Sequence, residues 1–278
     1  MILIVVLPPI LLGLLALAVA AALIYLFLIM PRVRDRADMD MLMTNYAHRG
    51  LWNAAVPENS LRAFLWAAQE GYGIELDIQL SRDKKIMVFH DKNLNRMCGV
   101  DKNLSDMTCC ELKSLSLKGT DQTIPTLAEV LYHIDGRVPL IIELKSNAGD
   151  AELCKRLAAM LDKYHGAFCV ESFDPRLLAW FKKYRPRYAR GQLVTKMKKC
   201  DTVKETLGSF CLSRLMGNVL SRPDFIAVDG RIQKSLMIYA CHKLFKAPIF
   251  VWTVRTQKDM DGCISDGYHF IFEKIKPN

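Results

Sequence analysis

Two histidines and several charged side chains stand at the ends of short apolar segments in this 278-residue chain. His48 and Arg49 are adjacent in AHRG, and Glu75 and Asp77 alternate with apolar residues in GIELDIQL. A second histidine, His90, follows the apolar run of MVFHD. Proton transfer and anion binding use these side-chain types, so these segments are the first candidates for a catalytic site.

A further charged pair, Glu143 and Lys145, lies in PLIIELK. Because successive side chains of a strand point to opposite faces, Glu75 and Asp77 are expected on one face of a strand. By the same alternation, Glu143 and Lys145 share a face with Ile141. Buried charges are costly unless they pair with each other or bind a metal, so the repetition indicates a site.

The combined set favours metal-assisted hydrolysis of a phosphodiester. Three carboxylates without a cysteine suit a hard divalent cation, Ca²⁺ or Mg²⁺. Two histidines can act as general acid and general base, and Arg49 and Lys145 can neutralise a phosphoryl oxygen. Each motif alone also has a structural explanation, since His90 could cap a strand and Lys145 could merely pair with Glu143. Their coincidence at strand ends favours the functional interpretation.

Apolar runs of strand length alternate with helical patterns through most of the chain. This alternation predicts an α/β fold, an irregular (β/α)8 TIM barrel, whose active site lies at the C-terminal ends of the strands. The candidate strands are residues 44–48, 73–80, 85–90, 139–145, 167–172, 190–194, 225–229, 249–254 and 269–273. Nine strands do not fit eight parallel places, and the segment SRDKK predicts a hairpin turn centred on Asp83 and Lys84. A two-residue loop there would place Asp77 opposite His90.

The N-terminal segment has no charged residue between Ile2 and Met30. At about 1.5 Å per helical residue it exceeds the roughly 30 Å hydrocarbon core, which predicts one transmembrane helix. A cleaved signal peptide is the alternative, since Ala18-Val19-Ala20 resembles a cleavage site, but no basic segment precedes the apolar run. The expected organisation is a transmembrane helix at 1–30, a charged linker at 31–42 and a barrel domain at 43–278.

Charge and cysteine content narrow the cellular setting. Arg32, Arg34 and Arg36 follow the apolar helix and no basic residue precedes it, so the positive-inside rule predicts a single-pass membrane protein with a cytoplasmic catalytic domain. The formal net charge of +9 suits an anionic membrane or substrate, whereas no recognisable module supports nucleic-acid binding. The nine cysteines form no CxxC pair and fit reduced core thiols.

Taken together, the motifs resemble those of the glycerophosphodiester phosphodiesterase family, within the superfamily of phospholipase C-like phosphodiesterase TIM barrels. The family pattern is an HR pair, an E-x-D, a later H and a strand carrying E-x-K. AHRG, PENS, IPTLAEVL, ESFDP and VWTV resemble family segments and occur in the family's order. The resemblance implies a barrel enzyme that hydrolyses glycerophosphodiesters to glycerol 3-phosphate and an alcohol, with a small-molecule substrate.

The resemblance also implies roles for individual residues. His48 and His90 match the acid and base, and the carboxylates that match the metal ligands are those of Glu75, Asp77 and Glu143. Arg49 and Lys145 match the positions that contact the phosphate, and Glu58 of PENS matches an acidic residue expected to position Arg49 or the metal ligands. Trp252 and Phe173 are expected to form a wall of the substrate pocket. The chain departs from many relatives at Arg255, where they have asparagine, and at Glu273, where they have aspartate; these departures bear on pocket charge and substrate choice.

Two alternatives remain open on sequence grounds. A lysophospholipase D would act on lysophospholipids that keep one acyl chain, which suits an enzyme tethered to a bilayer. A non-catalytic, membrane-bound barrel that only binds its ligand is the second alternative. An apolar groove leading to the site would favour lysophospholipids, and a closed polar cup would favour deacylated glycerophosphodiesters. The sequence leaves the headgroup and the oligomeric state open.

Overall fold

The computed structural model describes residues 9–32, 36–145, 150–197 and 201–277. Its strands are β1 (Tyr46–His48), β2 (Gly73–Leu80), β3 (Ile86–Val88), β4 (Leu140–Leu144), β5 (Phe168–Ser172), β6 (Ala189–Val194), β7 (Phe225–Asp229), β8 (Ile249–Val254) and β9 (His269–Phe272). All of them except β3 are parallel, and β1 pairs with both β2 and β9, which closes an eight-stranded barrel. The predicted irregular TIM barrel is confirmed, with β3 as the strand outside the parallel ring.

One helix precedes the barrel, and the others surround it and follow most of its strands. They are α1 (Pro9–Ile29), α2 (Leu61–Gln69), α3 (Asn95–Cys98), α4 (Cys109–Lys113), α5 (Leu127–Ile134), α6 (Ala151–Leu161), α7 (Pro175–Tyr184), α8 (Val203–Ser213), α9 (Asn218–Ser221), α10 (Leu236–Tyr239) and α11 (Gln257–Asp266). Side chains of Ser60, Thr126 and Asp150 accept backbone N–H bonds in the first turns of α2, α5 and α6. These caps satisfy donors that a helix start leaves free, which explains where the three helices begin.

Inward-facing side chains form an apolar floor at the N-terminal end of the barrel. Tyr46, Ile141, Phe225 and Phe250 pack there in one buried cluster. A 3₁₀ turn at Arg36–Leu42 adds buried side chains to the same cluster just before β1 begins. The next inward positions along several strands carry carboxylates, so the polar residues lie above an apolar floor.

Two glycines let large rings fill this floor. A Cβ atom added at Gly191 of β6 would lie 2.1 Å from the ring of Phe225, and one added at Gly73 of β2 would lie 2.6 Å from the ring of Tyr46. Neither distance is compatible with a side chain, because packed interiors leave no room for such overlap. The two rings therefore lie directly on strand backbone and close the barrel from below.

The hairpin between β2 and β3 differs from the expected register. Ile78 pairs with Val88, and the backbone N–H of Phe89 donates to Asp77 at 2.9 Å, so the prediction that Asp77 faces His90 was wrong. The loop has three residues instead of two, with Lys84 in the left-handed conformation at φ 61°. A left-handed third position is typical of three-residue hairpin loops, and it shifts the pairing by one residue.

The apolar helix α1 is long and apolar enough to cross a membrane, and it is joined firmly to the barrel at its C-terminal end. Ile29 is fully buried, and its carbonyl accepts a hydrogen bond from Asn218 Nδ2 at 2.7 Å. Arg222 Nη1 donates to the carbonyls of Phe27 and Met30 at 2.8 Å. These bonds satisfy carbonyls that a helix end leaves free, and the positive charge suits the helix C-terminus.

Because Ile29 belongs to the barrel core, shortening it should destabilise the whole barrel. We expect Ile29→Ala to lower the free energy of unfolding by about 2–5 kcal/mol, the usual range for such a buried truncation. The matched control is Leu17→Ala, since Leu17 lies on the same helix but is 69% exposed. Denaturant unfolding of both full-length variants in the same detergent measures the difference, and equal effects would mean that α1 does not contribute to the barrel core.

Candidate active site

The polar residues singled out in the sequence meet at the C-terminal ends of the barrel strands. They surround a cavity of about 490 Å³. Its lining includes His48, Arg49, Glu75, His90, Glu143, Lys145, Phe173 and Trp252. Asp77 lies behind this lining, almost fully buried, and Glu58 contacts Arg49 from outside the cavity. The described part of the chain thus brings all ten predicted site residues to one end of the barrel.

Three carboxylates converge at the bottom of the cavity. Glu75, Asp77 and Glu143 are almost fully buried, and each offers an oxygen within 4.8 Å of the other two. Burial and the neighbouring carboxylates raise the pKa of Glu75 well above its usual value, and burial raises that of Glu143 to about 7. Within the described ranges, Glu143 Oε1 is buried and meets no hydrogen-bond donor. Three converging carboxylates that repel one another, with a Glu143 oxygen that no donor satisfies, fit a hard divalent cation.

Two cationic side chains stand beside this cluster. Lys145 Nζ lies 2.8 Å from Glu143 and 3.2 Å from Asp77, and Arg49 Nε lies 3.3 Å from Asp77. Burial acts to raise the pKa of Asp77, but the charges of Lys145 and Arg49 outweigh it and hold that pKa below its usual value. Asp77 is therefore ionised, and both cations are held at the edge of the cavity by carboxylates.

The PENS segment holds this arrangement together. Glu58 accepts a 2.6 Å bond from Arg49 Nη1, and Asn59 Nδ2 donates to Asp77 at 2.8 Å. Ser60, the next residue, caps α2. Arg49 itself has φ 59°, and its backbone N–H donates to Glu75 at 3.0 Å. A non-glycine residue in this conformation costs free energy, and such strain is concentrated at functional sites.

Both histidines are oriented by a carboxylate at Nδ1. His48 Nδ1 lies 2.8 Å from Glu273, and His90 Nδ1 lies 2.6 Å from Asp91. Burial lowers the pKa of both rings, while the hydrogen bond with Glu273 acts to raise that of His48. Since the carboxylates occupy Nδ1, proton exchange with a substrate falls to Nε2 of each ring.

Further residues fix the second histidine. Gln79 Nε2 donates to the backbone carbonyls of Phe89, His90 and Asp91 at 2.8, 3.1 and 2.9 Å. This bonding brings His90 to the cavity even though it is not the residue opposite Asp77. Arg96 then joins the two halves of the site. It bonds Asp91 at 2.5 Å and Glu58 at 2.7 Å, and Glu58 holds Arg49.

The profile of the glycerophosphoryl diester phosphodiesterase family matches residues 48–272, which contain all of these residues except Glu273. The chain belongs to this family. A glycerophosphodiester phosphodiesterase from Caldanaerobacter subterraneus is 28% identical over 80% of this chain and 89% of its own length. A human lysophospholipase D is 30% identical over 48% of this chain, and that match spans 45% of the human protein. The family assignment agrees with the resemblance of the sequence motifs.

Solved structures agree on the fold. The structure of an Oleispira antarctica phosphodiesterase in complex with the product sn-glycerol-3-phosphate has a TM-score of 0.68 to this chain at 24% identity. The superposition covers 83% of this chain and 92% of that one. At this identity, the likeness supports the TIM barrel alone.

Glu171, Glu273 and Arg96 were not predicted as site residues. Glu171 lies on β5 opposite Glu143, fully buried, and burial raises its pKa well above the usual value. The alternation in FCVES could have indicated Glu171, because it places a carboxylate within an apolar strand as GIELDIQL and PLIIELK do. Glu273 appeared in the sequence only as a departure from relatives, yet it binds both His48 and Arg255. Arg96 lies in a four-residue helix, where no sequence pattern indicates a role.

The wall residues of the cavity are aromatic. Phe173 and Trp252 pack edge to face with ring centroids 5.7 Å apart, and both line the cavity. Trp252 Nε1 is buried and meets no acceptor in the part of the chain that the structure describes. This indole N–H is a hydrogen-bond donor that the described part of the chain leaves unused.

A second cavity, of about 750 Å³, lies beside the first. Its apolar lining comes from Trp52, Trp66, Met97, Phe272 and Ile275, and its lysines are Lys118, Lys274 and Lys276. Glu58 and Glu273 also line it, and these two residues bind Arg49 and His48 of the first cavity. The two cavities are therefore neighbours separated by ion-paired side chains.

Glu273 is expected to act through His48, which makes it a positioning residue. Glu273→Gln removes the charge that favours His48 in its present orientation, and we expect kcat to fall by about 10-fold or more while KM changes little. Glu273→Asp, which restores the carboxylate, should recover part of that loss. Steady-state kinetics on all three proteins measure the split. A fall confined to KM would contradict a role in orienting His48.

Proposed function

We propose that this chain is a membrane-anchored, metal-dependent phosphodiesterase that hydrolyses glycerophosphodiesters to glycerol 3-phosphate and an alcohol. The observation that carries the proposal is the meeting of two carboxylate-held histidines with three converging carboxylates and two cations in one cavity. Membership of the family supports the same reaction class. A barrel that only binds a ligand is disfavoured, because an idle site gives no reason to keep such charges buried.

The residues divide the work of the reaction between them. Glu75, Asp77 and Glu143 would hold a divalent cation, Ca²⁺ or Mg²⁺, which supplies Lewis-acid polarisation of a phosphoryl oxygen. Arg49 and Lys145 neutralise negative charge that develops on the phosphoryl group.

The two histidines supply the proton transfers. One of His48 and His90 removes the proton from the attacking oxygen through Nε2, and the other returns a proton to the leaving alcohol oxygen. Phe173 and Trp252 form the wall against which the organic part of the substrate packs. Glu58 keeps Arg49 directed toward Asp77, from which the guanidinium can reach a phosphate.

We further propose that residues 2–30 remain as the membrane anchor, that the predicted linker 31–42 joins this anchor to the barrel by packing Met39 and Leu42 against the barrel floor, and that 43–278 form the catalytic domain. The burial of Ile29 in the barrel core supports an uncleaved helix, because cleavage after Ala20 would leave a short apolar stub attached to the core. Arg32, Arg34 and Arg36 support a cytoplasmic catalytic domain. A reporter fused to the C-terminus tests this orientation, and an extracytoplasmic signal would overturn it.

A lysophospholipase D is the second candidate, and the larger cavity favours it. An apolar space of about 750 Å³ with lysines at its edge suits an acyl chain beside an anionic headgroup. The similarity to the human lysophospholipase D supports the same substrate class. In this candidate the acyl chain lies against Trp52 and Trp66, and the phosphodiester occupies the smaller cavity.

The test uses the full-length protein in detergent, because Ile29 belongs to the barrel core. The protein is stripped with chelator, and Ca²⁺ or Mg²⁺ is added back with glycerophosphocholine, glycerophosphoethanolamine or lysophosphatidylcholine. Metal-dependent release of glycerol 3-phosphate supports the first candidate, and release of lysophosphatidate supports the second. Trp66→Ala should weaken only the reaction of the acylated substrate. Absence of turnover with every substrate, despite metal binding, would favour the non-catalytic alternative.

A further inference from the structure

The end of α1 is enclosed by the helices on either side of β7. Asn218 of α9 and Cys241, in the π-helical turn Ala240–Leu244 after α10, both bond the carbonyl of Ile29. One turn earlier, the Tyr25 hydroxyl donates to the carbonyl of Arg214 at the end of α8. We call the outer surface of α8, α9, α10 and this π-helical turn the anchor flank. It surrounds the point where α1 leaves the barrel.

The anchor flank exposes large apolar side chains on both sides of α1. Helix α8 buries none of its residues, and Val203, Leu207 and Phe210 recur on it at intervals that form one helical stripe. On the other side, Leu236 is 87% exposed and Leu244 is 59% exposed. Such an array is unusual on a surface that faces water, and it marks an interaction site.

No spacer separates the apolar helix from this surface. Residues 9–24 of α1 are exposed, Tyr25 is half-buried against Arg214, and Ile29 is already in the barrel core. The barrel therefore begins within the apolar helix itself. If α1 crosses a bilayer, the anchor flank must lie at the level of the lipid headgroups, because Tyr25 and Ile29 of the same helix already contact it.

The charge of the flank agrees with such a position. Residues 203–246 contain seven basic and three acidic residues, and two of the acidic ones, Asp224 and Asp229, are buried. Lys204, Lys234 and Lys243 are exposed beside the apolar side chains. Amphipathic segments with apolar side chains and adjacent lysines bind the interface of anionic bilayers.

We propose that the anchor flank rests on an anionic lipid bilayer and inserts the exposed side chains of α8 and α10 among the lipid headgroups. This inference rests on the anchoring by α1 given under the proposed function. It goes beyond that anchoring because it assigns the barrel a second membrane contact and one orientation on the membrane.

The test uses the full-length protein in vesicles of phosphatidylcholine and phosphatidylserine that contain a photoactivatable phospholipid. After irradiation, mass spectrometry measures the label in each peptide. We expect residues 203–213 and 236–244 to carry at least about five-fold more label than residues 127–134. The latter include Tyr132 of α5, which is 79% exposed but lies on the side of the barrel opposite β7. Label confined to α1 would overturn the docking while leaving the anchor in place; an α1 without label would count against both.

A pair of variants separates docking from folding. Leu207→Glu combined with Phe210→Glu should reduce the label in 203–213 by about five-fold or more, because carboxylates are repelled from an anionic interface. Tyr132→Glu is the matched control and should leave that label unchanged. Both proteins should remain resistant to extraction by alkaline carbonate if α1 is the anchor. Cross-links between α8 of two protein copies in place of lipid label would instead make the flank a self-association surface and overturn the proposal.

Discussion

Replacement of His48 by alanine should lower kcat/KM by about a hundred- to ten-thousand-fold, the usual contribution of a positioned general acid or base. The ring is held by Glu273 at Nδ1, and Nε2 lies 4.0 Å from Glu75 in the cluster of three carboxylates. No other histidine among the described residues occupies the β1 side of the cavity, because His90 lines it from beyond β3. The loss should therefore appear in turnover of every substrate, and it is measured by steady-state kinetics with saturating metal.

His133→Ala is the matched control for this experiment. His133 is exposed on α5, remote from the cavity, and its loss should leave the kinetics within about two-fold, as expected for a surface change. Metal binding by the His48→Ala protein should persist, because the carboxylate cluster stays intact. If His48→Ala retained wild-type turnover, the assignment of the two histidines as acid and base would have to be abandoned.

Glu75→Gln should remove the response of the protein to divalent metal. Glu75 is one of three buried carboxylates whose oxygens converge within 4.8 Å, and the glutamine would replace a charged ligand by a neutral, weaker one. We expect metal affinity to fall by more than about 100-fold, beyond the effect of losing a residue that only supports a ligand. A metal at 100 times its dissociation constant adds about 2.7 kcal/mol to wild-type stability, and this increment should fall to about 0.4 kcal/mol or less in the variant.

Without metal, the effect of Glu75→Gln on stability should have the opposite direction. Burial and the charges of Asp77 and Glu143 raise the pKa of Glu75, so the charged carboxylate is unfavourable there without a cation. Metal-free Glu75→Gln should therefore be at least as stable as the metal-free wild type. Glu152→Gln, on the exposed surface of α6, is the matched control and should keep the full metal response. Thermal unfolding with and without Ca²⁺ or Mg²⁺ decides the point, and an unchanged metal response in Glu75→Gln would remove Glu75 from the ligand set.

The local pattern of apolar and polar residues was sufficient to predict much of the fold. The bounds of β2, β7 and β8 agree with the residues predicted from apolar runs and alternation. The hairpin register was wrong because turn geometry depends on contacts that no short pattern contains. Asp83, in that loop, accepts bonds from Ser81 and from the distant backbone of Cys109.

In the candidate site, too, some residues could be predicted from local sequence and others could not. Glu75, Asp77 and Glu143 could be predicted because a charge at alternate positions of an apolar strand is unusual wherever the strand lies. Arg96 could not, because its role depends on the distance between two carboxylates that the fold brings together from different segments. The packing of Ile29 into the barrel was equally hidden, since an apolar residue at the end of an apolar helix looks the same whether it meets lipid or protein.

The apolar floor of the barrel limits the path by which substrate and products can reach and leave the proposed active site. Tyr46, Ile141, Phe225 and Phe250 close the lower end of the barrel, so the smaller cavity is closed on that side. Substrate and both products are therefore expected to pass through the C-terminal end of the barrel. We expect the phosphorylated product, which Lys145 and Arg49 would hold, to leave after the alcohol. Ordered release of this kind makes the phosphorylated product a competitive inhibitor and leaves the alcohol a weak one.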